Sequence, residues 1–224
     1  PSLRTGNDPR TCRQLQMLAY QLFGQRNVLM DGAGFLDRLE RSPRIREELG
    51  ELAAWIDLHA DLEPEPLPGT PDDGPLLLHR TYSRAEILSA IGFWSPEVRD
   101  LVQTGLHNIK PLKLQLLFVT LDKKEGFHER IAYHDYAISP ELFHWQSQNN
   151  AGPETASGRI YTQSASNGWR FQLFVRETPT HPFIALGPAT LDGEPTGEKP
   201  MSMIWRLERP VPIAMFRRFS VLRA

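Results

Sequence analysis

A proline-rich segment about a third of the way along the chain most restricts how this protein can fold. Residues 63–75 contain five prolines and two glycines. Proline removes a backbone donor and clashes inside a helix, so this segment can form neither a helix nor a central strand. We therefore expect an extended linker at 63–75, between a helical connector at 1–62 and a larger domain at 76–224.

The residues before this linker have the spacing of helices. Apolar side chains recur at helical intervals between Arg13 and Phe23. Asp31 is a candidate N-cap of a second helix. Ser42-Pro43 is typical of the start of a third, because proline fits the first turn.

The residues after the linker have mainly the patterns of β-strands. Ser83, with Glu86 three residues later, predicts a capping box and a short helix that ends at Gly92. Apolar runs predict strands at 114–121, 143–148, 159–163, 170–176, 183–186 and 202–207, with a turn at Gly187-Pro188. The fold class predicted is α+β: the helical segment is followed by a mostly antiparallel, partly open β-barrel. The Ser83 helix and a helix around 212–219 would plug its ends.

Composition and charge limit the classes of protein to which this chain can belong. The hydrophobic share of 40% and the charged share of 23% are ordinary for a soluble domain, and no apolar run could span a membrane. A single cysteine, Cys12, excludes an internal disulfide and predicts a reducing cytoplasm. The missing initial Met indicates a piece of a longer protein. Residues 1–75 carry 8 Arg and 13 acids, a balance of −5, whereas residues 76–224 carry 17 Lys and Arg and 14 acids, a balance of +3.

Residues 133–148 combine aromatic rings, histidines and glutamines at unusual density. Rings can stack on bases, and a glutamine amide pairs a donor with an acceptor, as a base edge requires. Strand alternation would turn Phe143 and Trp145 inward and His144, Gln146 and Gln148 outward. A strand buried on one side also has polar residues outside, but we interpret the segment as a binding surface with nucleic acid as its ligand.

The candidate DNA-binding residues fall into three groups. Arg80, Tyr82 and Arg84, at a helix start, would bind the DNA backbone. A simple helix cap with Tyr82 packed onto the core is the interpretation that these residues alone favour. His144, Gln146 and Gln148 would contact a base or a modified base. A further aromatic and basic set comprises Arg159, Tyr161 and Trp169. A more specific hypothesis is an apolar niche for a phosphorothioate sulfur, formed by His181, Pro182 and Phe183.

The sequence shows no pattern for catalysis. His128, His134 and His144, with Asp135 and Glu141, match no zinc-site spacing. Ser139 has no partner for nucleophilic attack, and no glycine-rich loop could hold nucleotide phosphates. We therefore expect no catalytic residue, no metal and no cofactor.

Several motifs make residues 79–207 resemble a known family. They lie at 79–80, 82–84, 86–88, 116–121, 136–148, 173–177, 186–189 and 200–207, the longest including Phe143-His144-Trp145-Gln146-Ser147-Gln148. The family is a C-terminal domain of unassigned function in bacterial superfamily-two DNA helicases, often with an N-terminal phospholipase-D-type nuclease. The resemblance implies upstream helicase and nuclease domains of the same protein, in restriction or phage defence. Motifs for either enzyme are absent from these 224 residues, so no activity carries over.

From residues and resemblance together we expect a non-catalytic DNA-binding module. Its partner would be double-stranded DNA, with a methylated base or a phosphorothioate as the more specific target. One alternative is a protein–protein docking platform between the nuclease and helicase parts. Another is a nuclease of unfamiliar type.

Overall fold

The computed structural model describes residues 8–23, 32–59, 65–71, 74–93, 105–121 and 135–220. They form two compact units. The first comprises Pro1–Leu78 and Tyr82–Val102, and the second comprises His79–Thr81 and Gln103–Ala224.

Four helices make up the described part of the first unit: α1 (Pro9–Phe23), α2 (Gly32–Glu40), α3 (Pro43–His59) and α4 (Arg84–Ala90). The three N-terminal helices confirm the helical prediction, while the proposed cap Asp31 lies outside the described residues. Ser83 accepts a hydrogen bond from Glu86 N, and the Glu86 side chain accepts one from Ser83 N at 2.7 Å. The predicted capping box is therefore present, and Gly92 follows the helix with a φ of +78°.

The core of the first unit lies between α1, α2 and α4. Its buried residues are Ala19, Tyr20, Phe35, Leu39 and Ala85. Within the Pro-rich segment, Pro66 forms an isolated antiparallel bridge with Leu77. Leu67 N donates to Leu76 O at 2.9 Å, Leu78 N donates to Glu65 O at 2.8 Å, and Leu67 is buried. The boundaries predicted for the connector, the linker and the larger domain stay a prediction.

An eight-stranded sheet forms most of the second unit. Its strands are β1 (Thr81–Tyr82), β2 (Leu106–Ile109), β3 (Leu114–Thr120), β4 (Tyr136–Ala137), β5 (Leu142–Gln146), β6 (Arg170–Arg176), β7 (Phe183–Leu191) and β8 (Ser202–Leu207). The order is β2-β3-β6-β7-β8-β5-β4, with β1 paired to β7. Along this order the neighbouring strands are antiparallel, except for β3 and β6, which are parallel. The α+β class is thus confirmed, but the sheet is not closed and gives no support to a barrel.

Three short α-helices accompany the sheet: α5 (Ala156–Thr162), α6 (Ser164–Asn167) and α7 (Ile213–Phe219). The prediction of α7 is confirmed. The predicted strand at 159–163 is wrong, because these residues belong to α5 and its C-cap. Thr155 caps α5 by accepting from Gly158 N at 3.0 Å, and this local cap outweighs an alternating pattern only five residues long.

The predicted turn at Gly187-Pro188 is also wrong. Strand β7 continues through both residues to Leu191. Gly187 has a φ of +95°, and the register with β6 shifts between Leu173 and Phe174. A bulge of this kind absorbs an irregular residue without ending the strand.

One face of the sheet carries the main core of the second unit. Strand β5 alternates as predicted, with Phe143 and Trp145 buried and His144 and Gln146 partly exposed. The core consists mainly of aliphatic and aromatic side chains that alternate along the strands, together with residues from the helices. Its largest fully buried members include Trp205, Tyr161, Phe143, Phe219, Leu117 and Leu173.

Candidate nucleic-acid interface

The outer face of β5 carries the side chains in which we expected base contacts. Tyr136 on β4 pairs with His144, and their rings stack with centroids 4.9 Å apart and an angle of 24° between planes. Gln146 lies further along the same strand, where its Nε2 donates to Ser202 Oγ at 3.2 Å. These side chains are partly exposed, so this face offers a flat ring pair beside an amide.

The arginine on this face is flanked by carboxylates. Arg206 on β8 lies opposite Leu142, with its Nη2 3.1 Å from Asp192 Oδ2 and its Nη1 3.8 Å from Glu141 Oε2. Two carboxylates therefore surround one guanidinium. This face does not by itself attract a polyanion.

Three cationic residues are instead linked by hydrogen bonds, through Asn167 and the backbone, at the end of the sheet where β3 and β6 begin. We call Lys113, Arg159 and Arg170 the basic edge. Lys113 Nζ donates to Asn167 O at 3.0 Å, and Asn167 Nδ2 donates to Arg159 O at 3.2 Å. Arg170 N donates to Lys113 O at 2.8 Å. All three are exposed, and Arg159 Nη2 lies 3.8 Å from Glu154 Oε2.

The parallel pairing of β3 and β6 is what creates the basic edge. Leu114 pairs with Arg170, so both strands begin at the same end of the sheet. Lys113 sits just before β3 with a φ of +46°, after a 3-10 turn at Lys110–Leu112 that adds a further exposed lysine, Lys110. Lys113 and Arg170 are not among the predicted site residues, because a parallel pair of strands was not expected.

Two of the predicted groups lie at this same end. Trp169 precedes Arg170, is partly buried against the core, and donates from its backbone N to Asn167 Oδ1 at 2.9 Å. Strand β5 runs antiparallel to β6, and the register through β7 and β8 puts Leu142 level with Arg170. The strand continues from there past the start of β6. Gln146, the last residue of β5, and Gln148 are thus at the same end of the sheet as the basic edge.

The first predicted group is divided between the units. Arg80 is exposed in the second unit, where its carbonyl accepts from Ala185 N at 3.0 Å. Tyr82 and Arg84 belong to the first unit. Tyr82 is buried and its Oη accepts from Leu77 N at 2.9 Å, as the simple helix-cap interpretation expects.

Two further predicted site residues, Tyr161 and Phe183, are buried in this structure. Tyr161 is fully buried in the core. His181 and Pro182 are exposed, but Phe183 is buried, packed edge-on against Phe118 with the guanidinium of Arg176 4.4 Å from its centroid. Burial lowers the pKa of Arg176, which also donates to Thr120 Oγ1 and Pro179 O. These contacts cover the Phe183 ring, which we expected to line a niche for a phosphorothioate sulfur.

The described residues hold no cluster of three His, Cys, Asp or Glu side chains that could bind a metal ion. The candidates His128 and His134 lie outside them. Among the described helices, none combines the length and apolar character needed to cross a membrane.

Fold and site together define a mixed α+β domain with an open sheet and a cationic end. The family model described as "Domain of unknown function (DUF3427)" matches residues 76–219, and the chain belongs to that family. A comparison with curated proteins found no significant match.

Proposed function

We propose that this protein is a non-catalytic module that binds double-stranded DNA through its basic edge. The observation that carries the proposal is the convergence of Lys113, Arg159 and Arg170 at one end of the sheet. Lys and Arg side chains that neutralise phosphates release condensed counterions, which is the main source of sequence-independent DNA affinity. Guanidinium groups also match the geometry of phosphate oxygens.

The amides and rings at this end of the sheet supply the chemistry for reading bases. Gln146 and Gln148 can pair with a base edge, and the Tyr136–His144 stack offers a flat surface. Phosphate contacts would set the orientation, and these side chains would distinguish bases. Recognition of a methylated base or a phosphorothioate is the more specific form of the proposal. His181 remains an exposed candidate for it, while Phe183 would first have to be uncovered.

The wider context of the proposal comes from the resemblance to helicase-associated domains. We place the module behind a helicase, and in longer relatives a nuclease, in restriction or phage defence within the cytoplasm. There the module would select the DNA on which the helicase acts. Fold does not fix function, so this context depends on the resemblance alone.

The salt dependence of DNA affinity tests the proposal. The wild-type chain should bind a plain duplex with a slope of log K against log salt of about −2.7, for three phosphate contacts. Each of Lys113→Gln, Arg159→Gln and Arg170→Gln should flatten that slope by about one contact. Arg44→Gln is the matched control. Arg44 is an exposed arginine on α3, in the first unit, where it forms an ion pair with Glu48 of the same helix. Basic-edge variants that behave like this control would show that the edge does not contact DNA.

A docking platform is the second candidate function, and one observation favours it. Helix α3 exposes Ile45, Leu52, Trp55 and Ile56, with Trp55 at 59% exposure. Exposed apolar side chains at helical spacing are typical of protein-binding faces. If docking is the function, Trp55→Ser should abolish binding to the separately produced upstream helicase part, while DNA affinity stays unchanged.

A further inference from the structure

Two of the three cations of the basic edge are held in place by neutral acceptors. Lys113 Nζ donates to Asn167 O at 3.0 Å, and Arg170 Nη2 donates to Leu112 O at 3.4 Å. A backbone carbonyl restrains a cation but does not cancel its charge. Arg159 has a carboxylate 3.8 Å away, but both side chains of that pair are more than half exposed, so water screens the attraction. The edge therefore keeps its positive charge while its geometry is restrained.

The side chain of Asn167 links the segments that carry these cations. Its Nδ2 donates to Arg159 O at 3.2 Å and to Ile160 O at 3.0 Å, which ties the end of α6 back to α5. Its Oδ1 accepts from Trp169 N at 2.9 Å, directly before Arg170. These contacts also fix the Asn167 carbonyl, on which the Lys113 ammonium rests. One amide thus restrains the surroundings of all three cations.

The turn at Gly168 adds a second restraint on Lys113. Gly168 has a φ of +74°, and a Cβ built on it would lie 3.6 Å from both Cδ and Nζ of Lys113. The lysine side chain therefore lies across this turn. Lys113 itself has a φ of +46°, which is unfavourable for a residue with a Cβ. Such strain persists only where surrounding contacts impose it, and it is common at sites that hold ligands.

We propose that Asn167 is the positioning residue of the basic edge and holds its cations ready for the rigid phosphate backbone of a DNA duplex. This inference rests on the proposed function. Ordering cationic side chains and their loops at the moment of binding lowers affinity, and restraints already present in the free protein avoid that loss. A flexible single strand can adjust its own backbone to the protein, so it gains less from cations that are fixed in advance.

Replacing the Asn167 amide tests this role. Asn167→Ala should weaken binding of the full chain to a plain duplex about tenfold, and binding to one of its single strands about twofold. The slope of log K against log salt should keep its wild-type value, because the three cations still reach their phosphates. Loss of a cation flattens that slope instead. Asn167→Ser retains an oxygen that can accept from Trp169 N and should have an intermediate effect.

A neighbouring variant separates positioning from a general effect on α6. Ser166→Ala removes a hydrogen bond from the Ser166 hydroxyl to Gln163 O, the N-cap residue of the same helix. It should leave the affinity for both DNA probes unchanged. Thermal unfolding of each variant sets the temperature of the binding assay below the onset of unfolding. If Asn167→Ala does not fold, Asn167→Ser provides the test.

The outcomes distinguish the two proposals. Equal duplex affinity of the wild type and Asn167→Ala would overturn the positioning role and leave DNA binding intact. A flattened salt slope in the variant would also overturn it, because phosphate contacts would then be lost. An equal loss of affinity for duplex and single strand would contradict the part played by the rigid backbone. Absence of wild-type binding to any duplex at low salt would overturn both proposals.

Discussion

Replacing Gly158 by alanine should destabilise the protein, although the same change inside a helix usually has the opposite effect. A Cβ built on Gly158 would lie 2.6 Å from the carbonyl carbon of Gly152, and closer still to its oxygen. These are backbone atoms, so no side-chain rotation can relieve the overlap. Helix α5 would have to move away from Gly152.

The displacement would break the hydrogen bonds that start the helix. Thr155 N and Oγ1 both donate to Gly152 O, at 2.9 and 2.8 Å, and Gly158 N donates to Thr155 Oγ1 at 3.0 Å. At about 1 kcal/mol for each hydrogen bond, the loss is about 3 kcal/mol. Alanine regains about 1 kcal/mol through its higher helix propensity. The free energy of unfolding should therefore fall by about 2 kcal/mol.

Urea unfolding followed by tryptophan fluorescence measures this change, because Trp145 and Trp205 pack on Tyr161 of α5. Gly50→Ala on α3 is the matched control. A Cβ there meets nothing within 4 Å, so alanine should raise stability by about 0.5–1 kcal/mol. A Gly158→Ala variant as stable as the wild type would refute the close approach of α5 to Gly152.

Three further changes test other parts of the fold. Ser83→Ala should lower the free energy of unfolding by about 1 kcal/mol in a urea titration, because it removes the N-cap of α4; no change would mean that the capping box is not formed. Phe174→Ala should cost about 3–5 kcal/mol in the same assay, since Phe174 is fully buried and stacks on Phe118 at 5.6 Å. Tyr161 has a pKa raised by burial, so its contribution to stability is complete below pH 10 and is lost as the pH rises further. Wild type should therefore lose more stability than Tyr161→Phe between pH 9 and pH 11, and equal losses would contradict a buried neutral hydroxyl.

Local signals in the sequence were sufficient for several elements. Ser83 and Glu86 interact over three residues, so their capping box could be predicted without knowledge of the rest of the fold. Strands β3, β6 and β8 have long apolar or alternating patterns. The alternation along β5 correctly assigned Trp145 to the core and Gln146 to the outer face.

Short or interrupted patterns led to wrong predictions. Residues 159–163 alternate over only five positions. The residue that caps their helix, Thr155, lies four residues before them and is not part of the alternating pattern. Gly187 and Pro188 have the composition of a turn, but pairing with β6 keeps them in a strand. In both cases a neighbouring segment outweighed the local preference.

Short-range signals were enough to predict the helical first unit, the β-rich second unit and the outward orientation of His144 and Gln146, because all three depend on residues close together along the chain. The parallel pairing of β3 and β6 could not be predicted in this way, and it brings Lys113 and Arg170 together from positions 57 residues apart. The fold also places Tyr161 beside Gln115 in the core instead of at the surface. Which strands pair depends on backbone hydrogen bonds and buried area between segments that are distant in the sequence. A short stretch of sequence therefore cannot specify the pairing.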